Sequence, residues 1–402
     1  MHALEILNKK LSKSLPSVHK SRLKSVFFTV QSLLNGGQLS LSALGRSAET
    51  KTTPKHNIKR MDRLLGNQKL HGEIKLFCKA LTHLLIKPNT HPIVMIDWTQ
   101  LGCFHCALVA TVSYKGRSFV LYFDVHPLEK LSNRQVETDF LHTLKEILPR
   151  GVIPTIITDS GYRTPWFKVV INLGWKFVGR LAKPVVMYTP DGQKYPIVDL
   201  QKGSKSGLKD WGECTVTRSN PLNYRVIQAP PFKRNPQRSS KKRPIKYKGR
   251  AANRARVRQL EAWVLGTNHM HLSAKEIMEI YGHRMRIEEF FRDIKNHRFG
   301  WSLKEIITHS SERYAVLLLI SVLAYFVVMM VGTFAEIRMI HLQYQPNSIS
   351  HRRVLSLFFL GKEMIRFKRD HIFEKGALEL IIWFFRKSVV VVSIRDKKSG
   401  DT

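Results

Sequence analysis

The spacing of apolar residues along the chain changes near residue 91. Before that point, apolar positions recur at intervals of three and four residues, which predicts helices. After it, they form short runs rich in β-branched and aromatic residues, separated by single helical stretches. The helices predicted in the first part cover 20–34, 40–48 and 55–67. We therefore expect a helical region over 1–90 and a core of mixed strands and helices after it.

The second part of the chain has a regular order of elements. Its predicted strands are 92–97, 107–114, 118–125, 152–158 and 175–181, and its predicted helices are 133–148 and 165–174. The order is three strands, a helix, a strand, a helix and a strand. This is the order of a ribonuclease-H-like core, an α/β fold in which helices flank a mixed sheet. We expect the first part of that core over 91–182.

A region rich in Pro, Gly and Ser interrupts the core at 183–262, and strand-like sequence returns at 262–267. We interpret the region as a β-rich basic insertion, after which the core continues over 263–334. Within it, the run 233–258 has twelve basic residues and no acid. Such a run is typical of a solvated loop, or of a segment that becomes ordered on nucleic acid. We expect a helical assembly region over 335–402.

One segment, 314–334, has 21 residues without a charge. It is long enough to span a membrane. A helix buried on all sides inside a large domain has the same composition. No other segment resembles a span, and the charged stretch 281–295 precedes this one closely, so the two would pack together. We therefore favour the buried helix and expect no membrane association.

The charge balance points to a polyanionic partner. Lys and Arg number 66 and Asp and Glu number 30, so the formal net charge is +36. Self-repulsion of this size disfavours a compact chain unless a partner neutralises it, and nucleic acid is the leading candidate, ahead of an anionic membrane. The predicted helix 55–67 carries four cations around Lys59 and Arg60. It is either a solvated face or a helix that contacts phosphates.

The four cysteines do not predict a disulfide framework, which fits a reducing cytoplasm. Cys103 and Cys106 have the spacing of half a zinc site, but no second pair follows at a suitable distance. The apolar run after Cys106 favours a strand instead. The N-terminus has no apolar region of the kind that a secretory signal requires.

Two aspartates end apolar runs in the predicted core. Asp97 follows 92–96 and Asp159 follows 152–158, and each precedes small or turn-favouring residues. Ligand groups converge at the carboxyl ends of neighbouring strands, and two carboxylates there would repel unless a cation lay between them. Mg²⁺ or Mn²⁺ suits such oxygen ligands. Each Asp alone could equally cap a turn, and Asp124 is a weaker third candidate.

The stretch 281–295 is predicted to be one continuous amphipathic helix. At about 100° per residue, Glu288 and its cationic neighbours fall within an arc of about 80°. This stripe consists of Tyr281, Arg284, Glu288, Arg292 and Lys295. A stripe of donors is suited to phosphate oxygens, whereas a solvated face more often alternates its charges.

The other faces of that helix separate two neighbouring acids. The residues expected to face the core are Ile287, Phe290, Phe291 and Ile294. Glu289 and Asp293 project away from the stripe. Glu288 is therefore the acid that the helix would present with Asp97 and Asp159. Two Asp and one Glu can hold two divalent ions for an in-line displacement at phosphorus.

The spacing Tyr281-x2-Arg284-x3-Glu288-x6-Lys295 resembles the Y-R-E-K signature of bacterial insertion-sequence transposases of family four, a branch of the DDE transposases. The segments 55–71, 95–98 and 157–166 are similar to the transposon-ten branch of that family. The likeness covers most of the chain and is weakest in 233–258 and the C-terminal third.

The resemblance implies a ribonuclease-H-like core with a β-rich insertion before the Glu. It implies Asp97, Asp159 and Glu288 as the catalytic, metal-binding triad, with two Mg²⁺ or Mn²⁺ ions. It also implies cut-and-paste transposition through a DNA hairpin inside a synaptic homodimer. Tyr281, Arg284 and Lys295 would hold phosphates of the double-stranded transposon end, and Arg292 lies on the same stripe. Trp263 would stack on a flipped base, or is a core residue.

Two other functions fit the same residues. A ribonuclease-H-like nuclease would cut DNA without joining it to a target, and an inactive DNA-binding regulator would do neither. Inverted repeats in the DNA that flanks the coding region would favour the transposase. Such a protein would lie in the bacterial cytoplasm, associated with the nucleoid.

Overall fold

A computed structural model describes residues 2–202, 207–230, 261–298, 300–369 and 376–392. The basic run 233–258, interpreted above as a solvated loop or as a segment that becomes ordered on nucleic acid, lies outside these residues. The chain divides into two compact units. The first contains Met1–Ile153 and Met285–Thr402, and the second contains Pro154–Arg284. This division does not test the domain boundaries expected from the sequence, and they stay a prediction.

The N-terminal part of the first unit is helical, as the apolar spacing predicts. Its helices are α1 (His2–Ser14), α2 (Lys20–Gly36), α3 (Leu41–Arg46), α4 (Pro54–Leu65) and α5 (Gln68–Leu85). Helix α2 ends at Gly36, and the following Gly37 adopts the left-handed conformation (φ 70°), so that its N–H bonds the Leu33 carbonyl. Ser40 and Asn67 cap α3 and α5 with their side chains.

Three antiparallel strands and a helix follow in the same unit. They are β1 (Ile93–Leu101), β2 (His105–Tyr114), β3 (Arg117–Pro127) and α6 (Arg134–Ile147). Strand β2 lies between the other two. Lys115 and Gly116 form a hairpin turn between β2 and β3, and both have positive φ. Strand β1 was expected to end at Asp97, but it continues to Leu101 because residues after Asp97 stay paired with β2.

The second unit contains a mixed sheet. Its elements are β4 (Thr155–Thr158), α7 (Thr164–Asn172), β5 (Lys176–Arg180), β6 (Val186–Tyr188), β7 (Lys194–Pro196), α8 (Ile197–Lys202), β8 (Lys209–Val216), β9 (Leu222–Ala229), β10 (Trp263–Thr267) and α9 (Ala274–Gly282). Strands β4 and β5 are parallel, and the order continues β5-β10-β9-β8-β6-β7 with antiparallel pairs. The predicted insertion is thus β-rich in its described residues.

The remaining helices belong to the first unit. They are α10 (Met285–Lys295), α11 (Ser311–Ile337), α12 (Leu357–Arg366) and α13 (Ala377–Ser388). Helix α11 contains the uncharged segment, and it is long and apolar enough to cross a membrane. However, 94% of its most apolar window is buried inside the protein, where it packs against α2, α5, β3 and α12. This confirms the buried-helix interpretation.

Two glycines let α11 and α12 approach closely. A Cβ on Gly332 would lie 2.1 Å from the Leu357 carbonyl oxygen, and one on Gly361 would lie 2.0 Å from the Val328 carbonyl oxygen. Only the absence of a side chain at both positions permits this crossing. The core of the first unit is therefore built around α11.

Candidate active site

Asp97 lies in the middle of β1, opposite Val109 of β2. Its neighbour Trp98 points to the other face of the strand, where its indole Nε1 donates to Glu137 Oε1 on α6 at 3.0 Å. Burial raises the pKa of the Glu137 carboxyl, and the hydrogen bond from Trp98 opposes that rise. Strand β1 is paired with β2 both before and after Asp97. The Asp97 carboxylate therefore projects from the middle of a fixed strand and not from the end of a loop.

The pairing register of β1, β2 and β3 places Asp97 and the weaker candidate Asp124 on opposite faces of the sheet. Asp124 is aligned with Leu108, and Leu108 is aligned with Trp98. Cross-strand partners share a face of the sheet and adjacent residues do not. Asp124 therefore lies on the face opposite Asp97, where its Oδ2 is 3.0 Å from His126 Nε2.

Helix α10 presents Glu288 on its exposed side. The four apolar residues predicted to face the core are buried, namely Ile287, Phe290, Phe291 and Ile294. The neighbouring acids are engaged by one cation: Arg117 Nη1 lies 3.1 Å from Glu289 Oε2, and its Nε donates to Asp293 Oδ2 at 2.6 Å. Glu289 also pairs with Arg292. Two acids of the helix thus pair with Arg117, and Glu288 is the exposed one of the three.

Lys295 connects α10 to the face of β1 that carries Asp97. Its Nζ donates to Thr99 Oγ1 at 2.5 Å and to the Gln100 carbonyl at 2.6 Å. Thr99 is two residues from Asp97, so the two side chains share a face. Burial, with a smaller contribution from the charge of Lys304, lowers the pKa of Lys295 to about 8, although Asp97 opposes the shift. The structure therefore brings Asp97, Thr99 and Lys295 together.

The expected continuous helix over 281–295 is wrong. Helix α9 ends at Gly282, His283 and Arg284 form a turn, and α10 starts at Met285. The backbone N–H of Arg284 bonds the Tyr281 carbonyl at 3.0 Å within that turn. A projection at a constant angle per residue therefore applies within each helix but not from one to the other.

Tyr281 and Trp263 pack together in the second unit. Their rings meet edge to face with centroids 5.0 Å apart, an arrangement that aromatic quadrupoles favour. Tyr281 is only 3% exposed, whereas Trp263 is half-buried at the start of β10. Trp263 thus packs on Tyr281, as its interpretation as a core residue requires. The stacking of Trp263 on a base stays a prediction.

Asp159 directly follows β4, as the sequence predicts. Its Oδ1 accepts a hydrogen bond from the Gly161 N–H at 2.7 Å. This is the turn-capping role considered above, and it also fixes the orientation of the carboxylate. Asp159 belongs to the second unit, whereas Asp97 and Glu288 belong to the first.

Across the described ranges, no group of three His, Cys, Asp or Glu side chains is arranged to hold a metal ion. The donor chemistry of the predicted triad nevertheless fits Mg²⁺ or Mn²⁺. All three side chains offer carboxylate oxygens, which these hard cations prefer. Cys106 does not resemble a ligand, because its thiol is buried in β2 and lies against the Pro127 carbonyl.

Residues 90–327, more than half of the chain, match the family model described as the transposase DDE domain. The chain belongs to the DDE transposase family. The matched region contains Asp97, Asp159 and Glu288 and extends into the buried helix α11. Among curated proteins, none matches the chain. The mixed sheet and its flanking helices are consistent with the ribonuclease-H-like core of a DDE transposase.

Two cations outside the matched region were predicted to contact DNA. In this DDE transposase, Lys59 is exposed on α4. The Arg60 guanidinium lies 3.8 Å from the centroid of the Phe28 ring on α2, and burial lowers its pKa. Lys59 is thus solvated, whereas Arg60 packs against the Phe28 ring.

The sequence interpretation missed Arg117 and Thr99. Both contact α10 from strands that are distant in the sequence. One signal was present for Arg117: Glu289 and Asp293 project from a helix whose neighbouring face is buried, so each needs a cationic or hydrogen-bonding partner. The sequence does not identify which of the 66 Lys and Arg residues supplies it.

Proposed function

We propose that this DDE transposase cuts the ends of an insertion sequence and joins them to target DNA by cut-and-paste transposition. Asp97, Asp159 and Glu288 form its catalytic triad in this proposal. The observation that carries it is the arrangement around α10. That helix presents Glu288, while Lys295 is anchored beside Asp97 through Thr99.

The three carboxylates would hold two Mg²⁺ or Mn²⁺ ions. When bound, such ions activate a water or a 3′-hydroxyl as nucleophile and stabilise the leaving oxygen at phosphorus. The protein's own contribution is placement. Asp97 is held by a paired strand, Asp159 by its hydrogen bond from Gly161, and Glu288 by the packing of α10.

Several cations and aromatic residues would hold the DNA. Lys295 is proposed to contact a phosphate of the transposon end, together with Tyr281 and Arg284. Its ammonium has three N–H groups, two of which Thr99 and Gln100 engage. Trp263 is proposed to stack on an unpaired base. Other phosphate contacts come from Lys59, Arg60 and Arg292.

The finer assignment rests on the Y-R-E-K spacing. It supports membership of family four of the insertion-sequence transposases and a likeness to the transposon-ten branch. That membership implies a hairpin intermediate on the DNA end and a synaptic homodimer. The same assignment places the protein in the bacterial cytoplasm with the nucleoid.

The decisive experiment uses neighbouring acids as a matched pair. Full-length protein is incubated with Mn²⁺ and a duplex taken from the DNA that flanks the coding region. Glu288→Gln should abolish cleavage, whereas Glu289→Gln should retain most of it, because the amide oxygen of the new side chain can still accept from Arg117 and Asp293 keeps its own contact with Arg117. Asp97→Asn and Asp159→Asn should also abolish it. All four variants should still bind the duplex in chelator.

Full cleavage by Glu288→Gln, or by either Asp variant, would remove that residue from the triad. The joining step is measured separately, as transfer of a cleaved 3′-hydroxyl end to a supercoiled plasmid. Cleavage without transfer would identify a nuclease instead of a transposase.

A further inference from the structure

Helix α10 needs its own means of attachment. It begins at the first residue after the boundary between the two compact units, and a turn at His283 and Arg284 separates it from α9. The preceding helix therefore does not fix its rotation. Because side chains reach about 6 Å from a helix axis, a rotation of about 20° would move the end of Glu288 by about 2 Å.

In the described part of the first unit, three polar anchors attach α10 to strands β1 and β3. At its start, Ser118 Oγ of β3 donates to the Arg286 carbonyl at 3.1 Å. At its end, Lys295 bonds β1. Between them, Arg117 of β3 contacts two successive turns of the helix, through Glu289 and Asp293. Of these anchors, the Arg117 contacts hold two successive turns of the helix on one side, about 100° and 140° around its axis from Glu288.

The Arg117 contacts are buried and directional. The Arg117 side chain is 13% exposed and that of Asp293 is 9% exposed. Nη1 of Arg117 also donates to the Gly116 carbonyl at 3.2 Å, which ties the guanidinium to the β2–β3 turn. A planar guanidinium with N–H groups in a fixed fork holds two carboxylates in one orientation better than a flexible ammonium does.

We propose that Arg117 is a positioning residue for Glu288, because it fixes α10 on the sheet through Glu289 and Asp293. This inference rests on the proposed function of Glu288. It gives a positioning role to a cluster of four charged residues, completed by Arg292. It also explains why a helix that presents one acid carries two others nearby.

The test compares Arg117→Met with Lys115→Met in the full-length protein. Lys115 lies in the same turn, and its Nζ is 2.6 Å from Glu336 Oε2 on α11. Its substitution therefore removes a neighbouring ion pair without affecting α10. The probe is Mn²⁺ alone, with its binding followed by the electron paramagnetic resonance signal of the free ion. Cleavage of the flanking duplex is measured in parallel.

Arg117→Met should weaken Mn²⁺ binding by about tenfold to a hundredfold, the usual effect of losing a residue that orients a ligand. Its cleavage rate at a fixed Mn²⁺ concentration should fall by a similar factor. Binding of the duplex in chelator should stay within about twofold, because the phosphate contacts are intact. Arg117→Lys should restore part of both losses. Equal Mn²⁺ affinity and cleavage in Arg117→Met and Lys115→Met would overturn the proposal.

Arg117→Met leaves the Asp293 carboxylate buried without its hydrogen-bonded partner, which could prevent folding. The double variant Arg117→Met with Asp293→Leu removes that buried charge as well. If the folded double variant binds Mn²⁺ as tightly as the wild type, the positioning role is wrong. Its loss of Mn²⁺ affinity, with a normal circular dichroism spectrum, supports the role.

The failure of this inference differs from failure of the proposed function. If Glu288→Gln cleaves DNA normally, the triad assignment fails whatever Arg117 does. If the wild type cleaves and Glu288→Gln does not, but Arg117→Met resembles Lys115→Met, only the positioning role fails.

Discussion

The pH dependence of DNA binding should report on Lys295. Burial lowers its pKa to about 8 from an ordinary value of 10.5. A shift of this size corresponds to about 3 kcal/mol that disfavours the charged form. If Lys295 contacts a phosphate, the complex favours the charged form, so the pKa of Lys295 rises on binding.

The sign of the effect follows from proton linkage. Below about pH 8 the ammonium is charged in both states, so binding takes up no proton and affinity does not depend on this group. Above that pH the free protein has lost the proton and must recover it to bind. Affinity should then fall by up to about tenfold per pH unit, until the pH reaches the raised pKa of the complex.

The assay is fluorescence anisotropy of a labelled duplex from the flanking DNA, in chelator and at constant ionic strength, from about pH 7 to pH 9. Lys295→Arg keeps a charge at every pH in this range, so it should remove the decline above pH 8. Lys295→Met should bind more weakly at all pH values, also without the decline. The same decline in wild type and Lys295→Arg would refute the assignment, because another group would then be titrating.

The remaining predictions concern charge and packing. Lys59→Ala should weaken duplex binding and reduce the slope of log affinity against log salt by about one; an unchanged slope would exclude a phosphate contact. Arg60→Ala should do the same and also lower the melting temperature, by circular dichroism, because its cation–π contact with Phe28 is lost. Arg292→Ala should weaken end binding and reduce the salt slope, and an unaltered slope would show that it does not touch DNA. Gly361→Ala should destabilise the protein by about 1–3 kcal/mol in urea unfolding, because its Cβ would lie 2.0 Å from a carbonyl oxygen of α11; unchanged stability would mean that the two helices separate at little cost.

The sequence predicts the order of elements well because two periodicities alternate along the chain. Strands β2 and β3 and helix α6 lie within one or two residues of their predicted ranges. The burial of α11 was also predictable, since no other segment resembles a span and the charged stretch 281–295 precedes it closely. Packing between helices, such as the approach at Gly332 and Gly361, leaves no periodic trace and was not predicted.

The end of β1 shows where local patterns fail. The apolar run of β1 stops at Asp97, which predicts that the strand ends there, before Trp98 and Thr99. Pairing with β2 nevertheless continues to Leu101, and the hydrogen bond of Trp98 to Glu137 stabilises a residue that the pattern assigned to a turn. Tertiary contacts decide such ends, and a single sequence does not contain them.

The break between α9 and α10 changes what the helical projection means. Glycine commonly ends helices, so Gly282 predicts an end at this position. The charged residues keep a helical spacing after Gly282, and for this reason the end was not predicted. Tyr281 and Arg284 therefore do not lie on the same helical face as Glu288. The choice of Glu288 over Glu289 is unaffected, because both acids and all four core residues lie within α10.

The donor stripe is thus better described as two groups. Glu288, Arg292 and Lys295 are placed by the attachment of α10 to the sheet, and Tyr281 is placed by its packing on Trp263. Each group can be tested without the other, since the contacts that hold them lie in different compact units.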